Sequence, residues 1–352
     1  MDSVSFMALW GQVAKRQPKG FEGPEKRLEV AIRVSEANPR GFLAQPQSTW
    51  EAIIAELHAK IVAKVSTGVL DAYVLTESSL FVEAHRIILI TCGTTTLLST
   101  LPKILELTAD IEGEVEWASF MRKNFTYPWD QVGPHATLED EYRILKDCLP
   151  AGKPFIFGPI DADHYFFFAF DDVHRPTLEN DVQISLTMFG LDQGVASSFF
   201  ASSFDASNQV TAAIRQRSGI QRLVEGLDVC DLQFAPCGYS VNAVKGSTYR
   251  TMHITPEEHC SFASFETTEA VEEVSGVLND VLHVFRPKTF TILLFADPQS
   301  VLGRKISSRQ PIGLEQIDKI YILSNRTINE FAPGYFVVKC TFSIAGLPVG
   351  GS

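Results

Sequence analysis

The chain has no apolar run approaching the ~20 residues that cross a bilayer, and no basic or apolar leader follows Met1-Asp2-Ser3. A cytoplasmic protein without membrane contact is expected. Cations are in short supply: 30 Lys and Arg stand against 42 Asp and Glu, a net charge of −12 over 352 residues. Such a field repels phosphate backbones and excludes nucleic acid as a partner, while favouring a small cationic ligand. The six cysteines are scattered with no C-x-x-C pair, which argues for reduced thiols and against a disulfide framework. Walker, G-x-G-x-x-G, G-x-S-x-G and H-E-x-x-H signatures are all missing. The histidines lack zinc-ligand spacing, even around His253, His259 and Cys260, so no metal is expected.

What is present is an aromatic-rich, strand-rich chain with 25 Phe. Phe6, Leu9, Trp10 and Val13 fall on one stripe of a helix predicted over 3–16. Lys26 to Val34 alternates as a strand, and 50–65 reads as an amphipathic helix. Strands are predicted at 72–75, 86–91, 115–121, 155–158, 165–170, 181–189, 259–266 and 289–295, and helices over 95–108, 138–149 and 270–285. The order strand, Thr-Thr, helix, strand occurs twice, at 86–121 and again at 259–295. That repeat predicts an internal duplication, with halves of about 20–172 and 178–345 within a single unit over 1–352. Many strands with short connections favour antiparallel sheets with segregated helices, an α+β fold.

One hairpin can be laid out residue by residue. Gly246-Ser247 is a good two-residue loop between strands 239–245 and 248–254. Pairing Lys245 with Thr248 and counting back sets Ser240 opposite His253, a hydroxyl beside an imidazole. Cys92 ends an apolar strand just before Gly93 and a threonine run that opens a helix, a position that favours a thiolate. Glu22, Glu25 and Glu29 cluster around one strand start.

Six segments resemble the motifs of eukaryotic S-adenosylmethionine decarboxylases, in the family's order. They are Phe21-Glu22-Gly23-Pro24-Glu25-Lys26, Tyr73 to Val82 around Glu77-Ser78, Thr91-Cys92-Gly93-Thr94-Thr95, Pro236 to Ser240, His253 to Glu257, and Ser264-Phe265-Glu266-Thr267. The resemblance extends over most of the chain and is nearest the trypanosomatid branch, through Phe21–Val30 and Gly158-Pro159-Ile160-Asp161.

It implies a four-layer αββα sandwich of two antiparallel sheets and decarboxylation of S-adenosylmethionine for polyamine synthesis. It also implies autocleavage between Glu77 and Ser78, turning Ser78 into a pyruvoyl group whose ketone condenses with the substrate amine. By residue-to-residue match, His253 removes the Ser78 α-proton, Ser240 supports the cyclic intermediate, Cys92 returns a proton to the product, and Glu22 and Glu25 are further catalytic candidates. Phe21 and Phe234 sandwich the adenine, Glu257 binds the ribose, and Leu75 and Glu77 complete the substrate site. Glu29, Asp181 and Glu266 match an acidic network that binds putrescine as an activator. Where many members carry a lysine and a second carboxylate, this chain has Ile90 and Ser185, which puts putrescine in question. The trypanosomatid branch also includes a catalytically inactive regulatory paralogue. It stands both as the alternative identity of this chain and as a possible heterodimer partner.

Overall fold

The computed structural model describes residues 21–159, 162–171, 182–201, 208–331 and 335–346. The stripe of Phe6, Leu9, Trp10 and Val13, together with Ile160, Asp161 and Asp181, lies outside them.

The first sheet is built from β1 (Lys26–Arg33), β2 (Ile61–Ser66), β3 (Leu70–Leu75), β4 (Ser78–Glu83), β5 (Arg86–Thr91), β6 (Glu114–Lys123), β7 (Lys153–Phe157) and β8 (Tyr165–Asp171). The second holds β9 (Val182–Phe189), β10 (Asp228–Gln233), β11 (Tyr239–Lys245), β12 (Thr248–Thr255), β13 (Phe262–Thr267), β14 (Thr289–Ala296), β15 (Tyr321–Phe331) and β16 (Tyr335–Ile344). Both sheets are antiparallel, and their strand orders correspond one to one: 2-3-4-5-1-6-8-7 and 10-11-12-13-9-14-16-15.

Alternation along each strand builds two kinds of core. Leu28, Val30 and Ile32 of β1 pack with Trp50, Leu101, Ile104 and Leu145 from helices α1 (Gln47–Ile54), α2 (Leu101–Asp110) and α3 (Leu138–Cys148). Each such side chain stabilises by about 1.5–3 kcal/mol when fully buried. The second sheet buries Ile184, Leu186 and Met188 against α4 (Ser275–Phe285) and α5 (Val301–Ser307) in the same way. The opposite faces of the two sheets meet each other, as in the cluster of Leu70, Phe81, Ile88, Ile90, Val244 and Tyr249. The layers therefore run helices, sheet, sheet, helices. Among the described residues no helix is long and apolar enough to cross a membrane.

The helix expected over 50–65 is half wrong. It stops at Ile54 with one 3-10 turn to Leu57, because His58 takes a left-handed φ of 57°. The β-branched run Ile61-Val62, with Val65, then forms β2, where such side chains lose less freedom than in a helix. The strand expected at 259–266 starts only at Phe262, behind a 3-10 turn at Glu258–Cys260. The helix expected over 270–285 begins at Ser275, and the one over 95–108 begins at Leu101 after a 3-10 turn. The expected hairpin is present in register, with Lys245 opposite Thr248 and Ser240 opposite His253. Gly246, at φ +58°, supplies the turn conformation that side chains disfavour.

Candidate active site

Thr76 and Glu77 are the two-residue loop joining β3 to β4, with Leu75 paired to Ser78. Parity along β4 sends Leu80 and Val82 into the helix-side core, while Ser79 and Phe81 face the second sheet. By that parity Ser78 belongs with Leu80. It takes φ +138° instead, a conformation that side chains rarely adopt, at a cost of about 1–3 kcal/mol. The break in alternation places its Oγ 3.1 Å from His253 Nε2, in the other sheet. Two consecutive serines therefore reach one imidazole, since Ser79 Oγ lies 3.2 Å from the same nitrogen.

His253 is held from its far side by Ser240, whose Oγ is 2.8 Å from Nδ1. Burial pushes its pKa down to about 3, so the ring is neutral at physiological pH and able to accept a proton. Glu25 Oε1 stands 3.9 Å from Nε2 and accepts a hydrogen bond from Ser264 Oγ at 2.7 Å. Burial pushes the Glu25 pKa up to about 8 despite that bond, and Glu266 adds to the rise.

The carbonyl of Glu77 accepts from Cys92. The Cys92 N–H donates to it at 3.2 Å and the Cys92 Sγ–H at 3.4 Å. Donors aimed at a carbonyl stabilise the negative charge that forms on its oxygen during nucleophilic attack. The expectation of a thiolate at Cys92 is overturned. No helix begins between Cys92 and Leu97, and burial, reinforced by Glu77 and Glu25, pushes the thiol pKa well above its usual range. A thiol that keeps its proton is suited to donating it.

Lys26 Nζ donates to Gly93 O at 2.7 Å, and burial lowers its pKa to about 8. Glu22 is buried with both oxygens occupied, by the N–H groups of Thr126 at 3.1 Å and Tyr127 at 2.7 Å. Its carboxylate anchors the 126–127 loop beside the site. Two glycines of the motifs are required by close approach. A Cβ on Gly23 would lie 2.5 Å from the Phe262 ring. Gly93, at φ +63°, lies under Phe21, whose ring would stand 3.1 Å from a Cβ there.

Phe21 is 37% exposed. Its backbone meets Cys260, which is within electrostatic reach of Glu257 and Cys237. Cys237 lies in the turn that Phe234 opens by donating its N–H to Gly238 O at 3.0 Å. Phe21, Phe234 and Glu257 are therefore linked to one another through Cys260 and Cys237. The Leu75 side chain is buried in the helix-side core, leaving only its backbone toward the site.

Glu29 and Glu266 sit elsewhere between the sheets, and sequence reasoning missed their main partner. Buried Arg27 reaches Glu29 at 2.7 Å and Glu266 at 3.1 Å. Tyr249 OH also donates to Glu266 Oε1, while Ser185 and Gln183 donate to Oε2 at 2.7 and 2.9 Å. Arg27 lies directly across the β1–β5 ladder from Ile90. Arg27 thus brings a cation to the two carboxylates from the strand facing Ile90. The signal was available, because Arg27 and Glu29 share a strand face opposite Ile90.

Residues 18–343 match the family model described as adenosylmethionine decarboxylase. The S-adenosylmethionine decarboxylase proenzyme of Trypanosoma cruzi is 48% identical over 349 residues, covering 97% of this chain and 94% of that protein. The proenzyme of Leishmania donovani is also 48% identical, over 348 residues, covering 97% and 91%. A crystal structure of Trypanosoma brucei AdoMetDC-delta26 monomer superposes with a TM-score of 0.64 at 39% identity, covering 76% of this chain and 99% of that one.

Proposed function

The chain belongs to the adenosylmethionine decarboxylase family, and we propose that it makes its own catalytic group by breaking the Glu77–Ser78 bond. It decarboxylates S-adenosylmethionine, a step of polyamine synthesis, and is made as a proenzyme. The observation that carries the cleavage reading is Ser78 itself. Its φ breaks the strand's alternation and sets its Oγ 3.1 Å from His253 Nε2, while the preceding carbonyl accepts from Cys92.

In this reading Ser78 Oγ attacks the Glu77 carbonyl carbon. The C–N bond breaks, an ester forms, and the nitrogen of residue 78 becomes a free amine. The Cys92 N–H and thiol stabilise the oxyanion of the cyclic intermediate. His253 then takes the Cα proton of residue 78. The electrons of that C–H bond form a Cα=Cβ bond, the Cβ–Oγ bond breaks, and Glu77 leaves as a carboxylate. Water replaces the nitrogen, which departs as ammonia. The pyruvoyl group so formed supplies an electron sink for the electrons released with CO2. Cys92, held as a thiol, keeps the proton that returns to the product Cα.

Phe21 and Phe234 are proposed to hold the adenine between them, with Glu257 on the ribose. Base–aromatic stacking is worth about 1–3 kcal/mol by truncation. Phe21→Leu and Phe234→Leu should each weaken substrate affinity by roughly tenfold, with chain cleavage unaffected. Equilibrium binding of a non-reactive substrate analogue reads this out, and equal affinity in both variants would refute the sandwich.

Arg27 fills the acidic network with a cation from the chain itself, which supports an enzyme that needs no diamine for charge balance. Removing one partner of a buried ion pair costs about 3–5 kcal/mol. Arg27→Leu should therefore lose stability on that scale and regain part of it, together with turnover, on adding putrescine. The assay is CO2 release from carboxyl-labelled S-adenosylmethionine by the isolated chain, with putrescine, and with the purified inactive paralogue. Release by the isolated chain supports the enzyme reading, and a rise on adding the paralogue supports a heterodimer. Substrate binding with no release under any of the three conditions would point to a regulatory chain instead.

A further inference from the structure

His253 Nε2 has more hydroxyl neighbours than a base can use. Ser78, Ser79 and Thr251 all place an oxygen within hydrogen-bond distance of it, at 3.1, 3.2 and 3.0 Å. A hydroxyl that donates to a nitrogen occupies the lone pair a base needs. Where each proton goes therefore decides whether the ring can act.

Asn242 fixes the answer for two of the three. It sits on β11 two residues from Ser240, on the same strand face, and opposite Thr251 across the hairpin. It is fully buried, and its Nδ2 donates to the backbone carbonyl of Tyr73, in the other sheet, at 3.0 Å. That bond determines which end of the amide is oxygen. Oδ1 is consequently turned toward the hydroxyls and accepts from Ser79 Oγ at 2.8 Å and from Thr251 Oγ1 at 2.8 Å. A hydroxyl has one proton to donate. With both protons spent on Asn242, Ser79 and Thr251 offer His253 only lone pairs. Lone pairs facing an unprotonated nitrogen raise its basicity, and they accept from the N–H once it has taken a proton. Without the amide oxygen the same two hydroxyls would rotate and donate to Nε2, since buried donors rarely go unpaired.

Given the cleavage reading above, on which this rests, we propose that Asn242 is a positioning residue for chain breakage: by drawing the Ser79 and Thr251 protons to itself it keeps His253 Nε2 free to take the Cα proton of residue 78. The step it serves is breakdown of the ester, and formation of the ester does not require it.

The test follows chains made by cell-free translation over time on denaturing gels, with and without hydroxylamine, which splits an ester but not a peptide bond at 77/78. Wild type and His253→Ala are the references. Asn242→Leu should accumulate a hydroxylamine-sensitive chain and break roughly 10- to 100-fold more slowly than wild type, the range expected when a general base is weakened but kept. Adding Ser79→Ala and Thr251→Val to Asn242→Leu should recover about tenfold of that loss, because the blocking protons are gone, and a purely structural defect would not be repaired that way. Thr251→Val alone, which leaves the amide intact, should slow ester breakdown several-fold, and Thr251→Ser should restore it. Wild-type rates in Asn242→Leu, resistance of its uncut chain to hydroxylamine, or no recovery in the triple variant would each overturn the proposal. If Asn242→Leu does not fold, a wild-type rate in Thr251→Val overturns it. Failure of the wild-type chain to break at all would instead defeat the cleavage reading beneath it.

Discussion

Ser78→Ala should leave a single uncut chain of 352 residues with no decarboxylase activity. The expectation follows from the role of one oxygen. Ser78 Oγ is the nucleophile of the first step and the leaving oxygen of the second, so its removal stops both. Neither neighbour can stand in. Ser79 has its proton committed to Asn242 and lies one residue beyond the scissile bond. The Thr76 hydroxyl accepts from the Lys60 N–H at 3.1 Å, on the far side of the hairpin loop. The variant should nonetheless fold, since alanine at position 78 removes no packing and leaves the strained φ no worse. Denaturing gels and circular dichroism read the two halves of the prediction. A variant that still splits between residues 77 and 78 would put the nucleophile elsewhere.

Cys92→Ala carries the second-largest effect, and it separates the two uses of that residue. The backbone N–H that meets the Glu77 carbonyl at 3.2 Å survives the substitution, and only the Sγ contact at 3.4 Å is lost. Chain cleavage should continue at a reduced rate. Turnover should fall by about 10²- to 10⁴-fold, the usual contribution of a positioned acid. Protonation at the wrong carbon should then convert residue 78 to a terminal alanine, detectable by peptide mapping after incubation with substrate. Turnover unchanged in the cleaved variant would remove Cys92 from the proton path. The thiol's raised pKa fixes the sign of the pH dependence: Cys92 stays protonated through neutral pH, so loss of the acid should not limit turnover as pH rises from 6 to 8.

Much of the fold could be read from alternation. Lys26 to Val34 and the strand before Phe189 declared their buried faces, and a two-residue Gly-Ser loop was enough to set Ser240 against His253. The same register sets Asn242 opposite Thr251. What alternation misplaces is Ser78. Its side of the sheet is decided by a backbone angle that only the closed hairpin imposes. The segment 61–66 was misread because a helix ran into it, and only the left-handed His58 marks the break. Cys92 was misjudged because position before a helix was weighed without burial. Arg27 has no local signature of burial, because it is the second sheet that covers its face of the strand. For Arg27 the missing information is the second sheet, which no local pattern carries.

The central claim is that Ser78 becomes the N-terminal catalytic group of a chain that cuts itself, and the intact mass of the purified protein tests it most directly. Two species should be found, residues 1–77 ending in a free carboxylate and residues 78–352 with residue 78 as a pyruvoyl group closed to Edman degradation. A single species with the mass of the unbroken chain, in a preparation that releases CO2 from S-adenosylmethionine, would contradict the account.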